Sequence, residues 1–98
     1  MRIRVAVRAR READRGEAWW RANRPAAADL FTRELLHVLA LLRDNPNLGS
    51  LYEAANFEAP VRRILMPKTE GHVYHATIGG EVVILAVWGS PRRRGPKL

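Results

Sequence analysis

Residues 81–88 read EVVILAVW, with no polar side chain between Glu81 and Trp88. Neighbours along a β-strand point to opposite sides of the sheet. Val82, Ile84, Ala86 and Trp88 therefore share one side, and Val83, Leu85 and Val87 the other. A strand that is apolar on both sides belongs inside a sheet that is covered above and below. Gly79 and Gly80 stand immediately before it and join it through a tight hairpin to a second strand, His72–Ile78. The apolar run is far shorter than the ~20 residues of a membrane-spanning helix. So is Leu35–Leu42, which His37 interrupts. Near Met1, arginines alternate with apolar residues and leave no continuous apolar stretch for a signal peptide. The reading is a chain without membrane association, in the cytoplasm.

The remaining segments supply what can pack on that strand. Residues 2–8 alternate, with Ile3, Val5 and Val7 on one side and Arg2, Arg4 and Arg8 on the other, as in a half-buried strand with a basic outer face. Over residues 10–23 the helical period places Ala13, Gly16 and Trp20, with Ala9 just before them, on one stripe. Trp19 lies at the edge of that stripe. Pro25 opens a second helix, over residues 25–43, with Ala27, Phe31, Leu35, Val38 and Leu42 facing the core. Pro46 ends it by forcing Asn45 out of helical space. Residues 44–60 read as a long loop, and Val61–Met66 as a further strand. The expected fold class is α+β and two-layer: β-α-α-β-β-β, with a helical hairpin packed on one face of an antiparallel-rich sheet. The 98 residues are expected to form one domain, 1–98, with 89–98 as a basic tail. Two helices cover only one side of such a sheet. The other side is left to the 44–60 loop or to a second molecule seated on an apolar patch.

Charge narrows the choice of partner. Lys and Arg number 17 against 10 Asp and Glu, a net charge of +7. The excess lies at the two ends: residues 1–11 carry five Arg and no acid, and residues 89–98 carry Arg92, Arg93, Arg94 and Lys97 and no acid. A near-neutral body with basic ends suits a polyanionic partner, whether nucleic acid or an acidic protein. There is no cysteine, which removes disulfide scaffolds, thiolate metal sites and thiol catalysis. The histidine spacing does not resemble a zinc site. No cofactor and no metal are expected.

Several segments, in order and at these spacings, resemble the RelE/ParE superfamily of small toxins from bacterial type II toxin–antitoxin systems. They are Trp19-Trp20 followed by Pro25–Phe31 (PAAADLF), Leu41–Gly49 (LLRDNPNLG), Val61–Leu65 (VRRIL), His72–His75 (HVYH), and Glu81–Trp88 before a basic tail. The resemblance covers nearly the whole chain. It implies a toxin held inactive by a cognate antitoxin, in a complex that can build into a larger assembly. ParE-like members act on DNA gyrase by binding, and RelE-like members cleave mRNA on the ribosome.

Metal-free RNA cleavage needs an acid, a base and cations around the phosphate. If the chain is a ribonuclease, Arg63, Lys68, His72 and Arg93 are the residues to carry it. The tail offers neither Tyr nor His, and the indole of Trp88 does no acid–base work. His72 and His75 point to opposite faces and cannot act as a pair. A complete catalytic set is therefore not assembled by the sequence, and the reading favoured is a ParE-like toxin that acts by binding. Arg62, Arg63, Trp88, Arg92, Arg93 and Arg94 are the candidates for contact with partner or target, although one of Arg62 and Arg63 is expected to be solvated or paired with Glu58 or Glu81. Trp20 is expected in the core, and Trp19 and Trp88 at its edge or as partner anchors. The same charge also fits a small basic nucleic-acid-binding module.

Overall fold

The computed structural model describes residues 1–53, 57–89 and 96–98. The elements in chain order are β1 (Ile3–Val5), α1 (Val7–Asn23), a 3-10 turn (Pro25–Ala27), α2 (Leu30–Asp44), β2 (Ser50–Tyr52), β3 (Val61–Leu65), β4 (His72–Ile78) and β5 (Glu81–Trp88). They form a five-stranded sheet in the order β1-β5-β4-β3-β2. β1 runs parallel to β5, and the remaining pairs are antiparallel. This is the α+β layering expected, with one more strand: β2 pairs with β3 from within the stretch read as loop. Among the described residues no helix is long and apolar enough to cross a membrane.

The first strand is shorter than its alternation suggested, because the edge of β5 is shared. Ala6 donates its amide to Ile84 O at 3.0 Å. The next free amide on that edge, of Val87, is taken by the Glu12 carboxylate of α1 at 2.9 Å. The helix supplies the hydrogen bond that a longer strand would have made, so Val7 and Arg8 lie in the first helical turn. The expected basic stripe is thereby divided. Arg4 pairs with Glu81 at 3.5 Å, whereas Arg8 pairs with Glu12, four residues along α1, at 3.2 Å.

β5 is central, as its composition demanded, but its faces are not those of strict alternation. His75 pairs with Ile84 and Tyr74 with Ala86, which leaves Leu85 as a bulge. Past the bulge the faces exchange. Val87 joins Val82, Ile84 and Val73 in the core under the helices, with Ala9, Phe31, Val38, Leu42 and Met66. Ala86 turns to the other side, where it packs with Val61, Tyr74 and Ala76.

That second side corrects the expectation of a partner-covered face. Phe57, Ala59 and Leu98 of the chain itself pack against it, flanked by Tyr52, Ile78, Leu85 and Trp88. Tyr52 donates its hydroxyl to Pro96 O at 3.0 Å, and Arg8 donates to Lys97 O. Val83 and Ala86 are buried without a second molecule. The loop reading therefore holds, with residues 96–98 as an additional cover.

The helix stripes fall as expected, but Pro25 opens only a 3-10 turn, Pro25–Ala27, and α2 begins at Leu30 rather than at Pro25. Gly16 is required where α1 and α2 meet: a Cβ there would lie 2.5 Å from Cζ of the Phe31 ring. Trp20 packs on the core. Trp19 does not; it is 49% exposed.

Candidate functional site

The sequence candidates divide between two places. On β3, Arg62 and Arg63 face opposite ways, as expected. Arg62 lies on the helix side and donates to Gly49 O at 3.1 Å. Glu81, a suggested acid partner for one of these arginines, pairs with Arg4 instead. Arg63 lies on the other face, directly opposite Tyr74 in the β3–β4 register. Its guanidinium sits 5.8 Å from the centre of the Tyr52 ring. The Tyr52 and Tyr74 rings meet edge to face at 4.8 Å, and the His72 ring lies 6.3 Å from that of Tyr74.

The electrostatics of this group follow from burial and one cation. Burial first, and the Arg63 charge second, push the His72 imidazole below its ordinary pKa, so it is neutral at neutral pH. Burial raises the Tyr74 phenol, outweighing the Arg63 hydrogen bond and charge that lower it, so Tyr74 remains a proton donor. A fixed cation, a neutral imidazole and two phenols thus share one patch of sheet. Sequence reasoning named Arg63 and His72 but missed the tyrosines. The signal for Tyr74 was present, since it stands two residues after His72 on the same strand face. Tyr52 was hidden because the stretch containing it carries no strand pattern.

His75 is structural. It is 1% exposed, and its Nε2 hydrogen-bonds Leu48 O at 2.8 Å. Gly49 follows at φ +95°, where a Cβ would lie 2.6 Å from Arg63 O. The Asn45–Gly49 segment is therefore a clasp that pins the end of α2 onto β3 and β4, and its glycine is dictated by space and by backbone conformation together.

The second place is a cleft of about 890 Å³ between α1, the β3–β4 turn and the end of β5. Gly16, Phe31 and Val87 line it, together with Trp19, Trp20 and Trp88. Two carboxylates hold its walls. Glu12 accepts from Val87 N and from the Trp88 indole at 3.0 Å. Glu34, 8% exposed, accepts from Lys68 N at 2.8 Å, Thr69 N at 2.9 Å and Thr69 Oγ1 at 2.7 Å. Burial works against the Glu34 charge, but these donors prevail and hold its carboxyl below the usual range. Lys68 lines this cleft rather than standing with Arg63 opposite Tyr74. Trp88 is half-buried and belongs to both places: it lines the cleft and pairs with His72 in the β4–β5 register. Arg92, Arg93 and Arg94 lie outside the described residues.

Comparison with known proteins bears on the architecture. No family model matches the sequence, and no curated protein matches it. Among solved structures, a chain of the chromosomal ParDE TA system from P. aeruginosa superposes with a TM-score of 0.72, over 93% of this chain and 97% of that one, at 17% identity. The chain shares the fold of that ParDE-system chain. The two chains match over nearly their full lengths, so the likeness takes in the helical hairpin and the sheet together. The segments that carried the sequence resemblance occupy defined places in this fold: Trp19 and Trp20 in the last turns of α1, the Asn45–Gly49 clasp after α2, HVYH at the start of β4, and EVVILAVW as β5.

Proposed function

We propose that the protein is the toxin of a two-protein toxin–antitoxin system, acting in the cytoplasm and held inactive by a cognate antitoxin. The observation that carries this reading is the full-length structural likeness to a ParDE-system chain, joined to the order of sequence segments that resemble the same superfamily. The net charge of +7 supports an acidic antitoxin. In the favoured form the toxin is ParE-like and inhibits growth by binding DNA gyrase. The expected result is growth arrest on induced expression, relieved by co-expression of the antitoxin, and loss of supercoiling when purified toxin is added to gyrase. Normal growth on induction overturns the toxin reading.

The Arg63–His72–Tyr74 grouping favours a second form, a metal-independent, ribosome-dependent endoribonuclease. A neutral imidazole can take the 2′-hydroxyl proton and a guanidinium can hold the phosphate, with the buried Tyr74 packed beneath them. Cleavage of mRNA in a translating extract, with gyrase unaffected, selects this form. Loss of cleavage in His72→Ala or Arg63→Ala then assigns the chemistry to the patch.

A further inference from the structure

The outward face of α2 is symmetric about its own middle. Residues three and four apart share a side of a helix, which places Arg33, Leu36, His37, Ala40, Leu41 and Asp44 together. All six are exposed, Leu36 at 59% and Leu41 at 43%. About the midpoint between Val38 and Leu39, Arg33 mirrors Asp44, Leu36 mirrors Leu41, and His37 mirrors Ala40. An opposite charge, a like apolar side chain, and a small residue for a large one are what each position needs from a reversed copy of the same helix. The charges also stand at the wrong ends for the helix alone. The macrodipole favours acids in the first turn and bases in the last, yet Arg33 lies near the start of α2 and Asp44 is its final residue. Arg33 is offset by Asp29 at 3.1 Å. Among the described residues Asp44 has no ion pair.

We propose that α2 is the contact of a homodimer, in which the helices of two copies pack antiparallel across a twofold axis. In that register Arg33 faces the partner's Asp44 at both ends. His37 of each copy lies over the partner's Ala40 in the centre, and Leu36 and Leu41 close the two flanks. A twofold interface uses the same patch on both copies and must complement itself, which is the condition these six residues meet. Ala40 lets the helices approach, and the leucines withdraw apolar surface from water on both flanks. A different protein needs no mirror relation between the two halves of the helix, so the symmetry selects a second copy as the occupant. Three turns of one helix per copy bury less than the ~1,200–2,000 Å² of a standard interface, so the dimer is a weak one, formed at micromolar or higher concentration. The net charge of +7 opposes pairing. At ~0.15 M salt a screening length of about 8 Å confines that repulsion, and the face itself carries one charge of each sign. The proposal does not depend on the toxin reading.

Sedimentation velocity of the purified full chain across the micromolar range, at ~0.15 M salt, should show a monomer converting to a dimer. Arg33→Asp and Asp44→Arg should each weaken the dimer about tenfold or more, because each sets like charges against one another at both ends. Mixed in equal amounts, the two variants should recover it, since one then carries acids at both positions and the other arginines. Neither substitution should lower the melting temperature of the dilute protomer. Each brings α2 nearer the sign that its dipole prefers, and the exposed Asp29–Arg33 pair contributes little. If either variant fails to fold, Ala40→Arg should give the same weakening, because it fills the space over which the partner's His37 lies. The proposal is overturned if the native chain stays monomeric throughout, if either charge variant dimerises as tightly as the native chain, or if the mixture remains monomeric. A dimer strengthened by Arg33→Asp indicates parallel helices and overturns it as well.

Discussion

Glu34 is the residue through which α2 holds the β3–β4 turn, and replacing it isolates that link. Its carboxylate accepts three hydrogen bonds from Lys68 and Thr69 while almost wholly buried. A hydrogen bond to a charged acceptor contributes about 1.5–3 kcal/mol, and a buried donor left unmet costs about 1–3 kcal/mol. Glu34→Ala removes one acceptor group serving three donors, and water can reach part of the vacated space. The expected loss is about 3 kcal/mol, a large share of the ~5–15 kcal/mol that holds a small domain folded. Glu34→Gln keeps an acceptor oxygen but loses the charge, and should cost about 1–1.5 kcal/mol. Urea unfolding at pH 7 measures both.

The pH dependence supplies an independent check. The Glu34 carboxyl is depressed in the folded state, because Thr69 and the two amides outweigh the burial that would raise it. Its contribution is therefore complete above the unfolded carboxylate value of ~4.3 and is lost as pH falls through the folded value. Below about pH 5 the native chain should lose stability faster than Glu34→Gln, whose side chain does not titrate. A Glu34→Ala penalty under about 1 kcal/mol, or acid profiles that run parallel for the native chain and Glu34→Gln, would refute the assignment of this carboxylate as the anchor of the turn.

Two further substitutions probe the frame. Gly16→Ala should destabilise by about 1–2 kcal/mol despite a helix-propensity gain of ~1 kcal/mol, because its Cβ would meet the buried Phe31 ring; a higher urea midpoint would show that the ring can yield. His75 is held neutral by burial, with the nearby Arg62 charge acting the same way and the Leu48 carbonyl opposing, so its folded pKa lies below the ordinary value. The stability it contributes is full above pH ~6.5 and declines as pH falls through the folded value. His75→Gln should reduce the fall in urea midpoint between pH 7.5 and pH 5, leaving the share that His72 contributes. Identical falls for variant and native chain would show that His75 does not drive the acid sensitivity.

The elements easiest to read were those whose pattern is set by burial alone. His72–Ile78 and Glu81–Trp88 were delimited correctly from their apolar content and the Gly79-Gly80 turn, because each strand lies inside the sheet and its composition reports that. The α2 stripe was legible for the same reason. What escaped the pattern was local hydrogen bonding. β1 ends early because Glu12 replaces a strand neighbour for Val87, and nothing in the spacing of Val5, Val7 and Arg8 announces that. The bulge at Leu85 exchanges the faces of Ala86 and Val87, yet both are small and apolar, so either phase satisfies the sequence. Glu34 lies beside the α2 stripe and reads as a surface acid until its three donors are seen. At the candidate sites, Arg63 and His72 were found because charge and imidazole stand out. Tyr52 and Tyr74 were not, because a tyrosine in a strand reads as core.

The cleft and the sheet-face patch are mechanically one region. One wall of the cleft hangs from α1 through Glu12, the opposite wall from α2 through Glu34, and the two helices meet where Gly16 lets Phe31 approach. The cleft therefore keeps its width only while the hairpin keeps its packing, which is why carboxylates rather than neutral amides suit both anchor positions: each gathers several donors at once with charge-assisted strength. Trp88 joins this assembly to the other face, since its indole is held by Glu12 while its strand position is paired with His72.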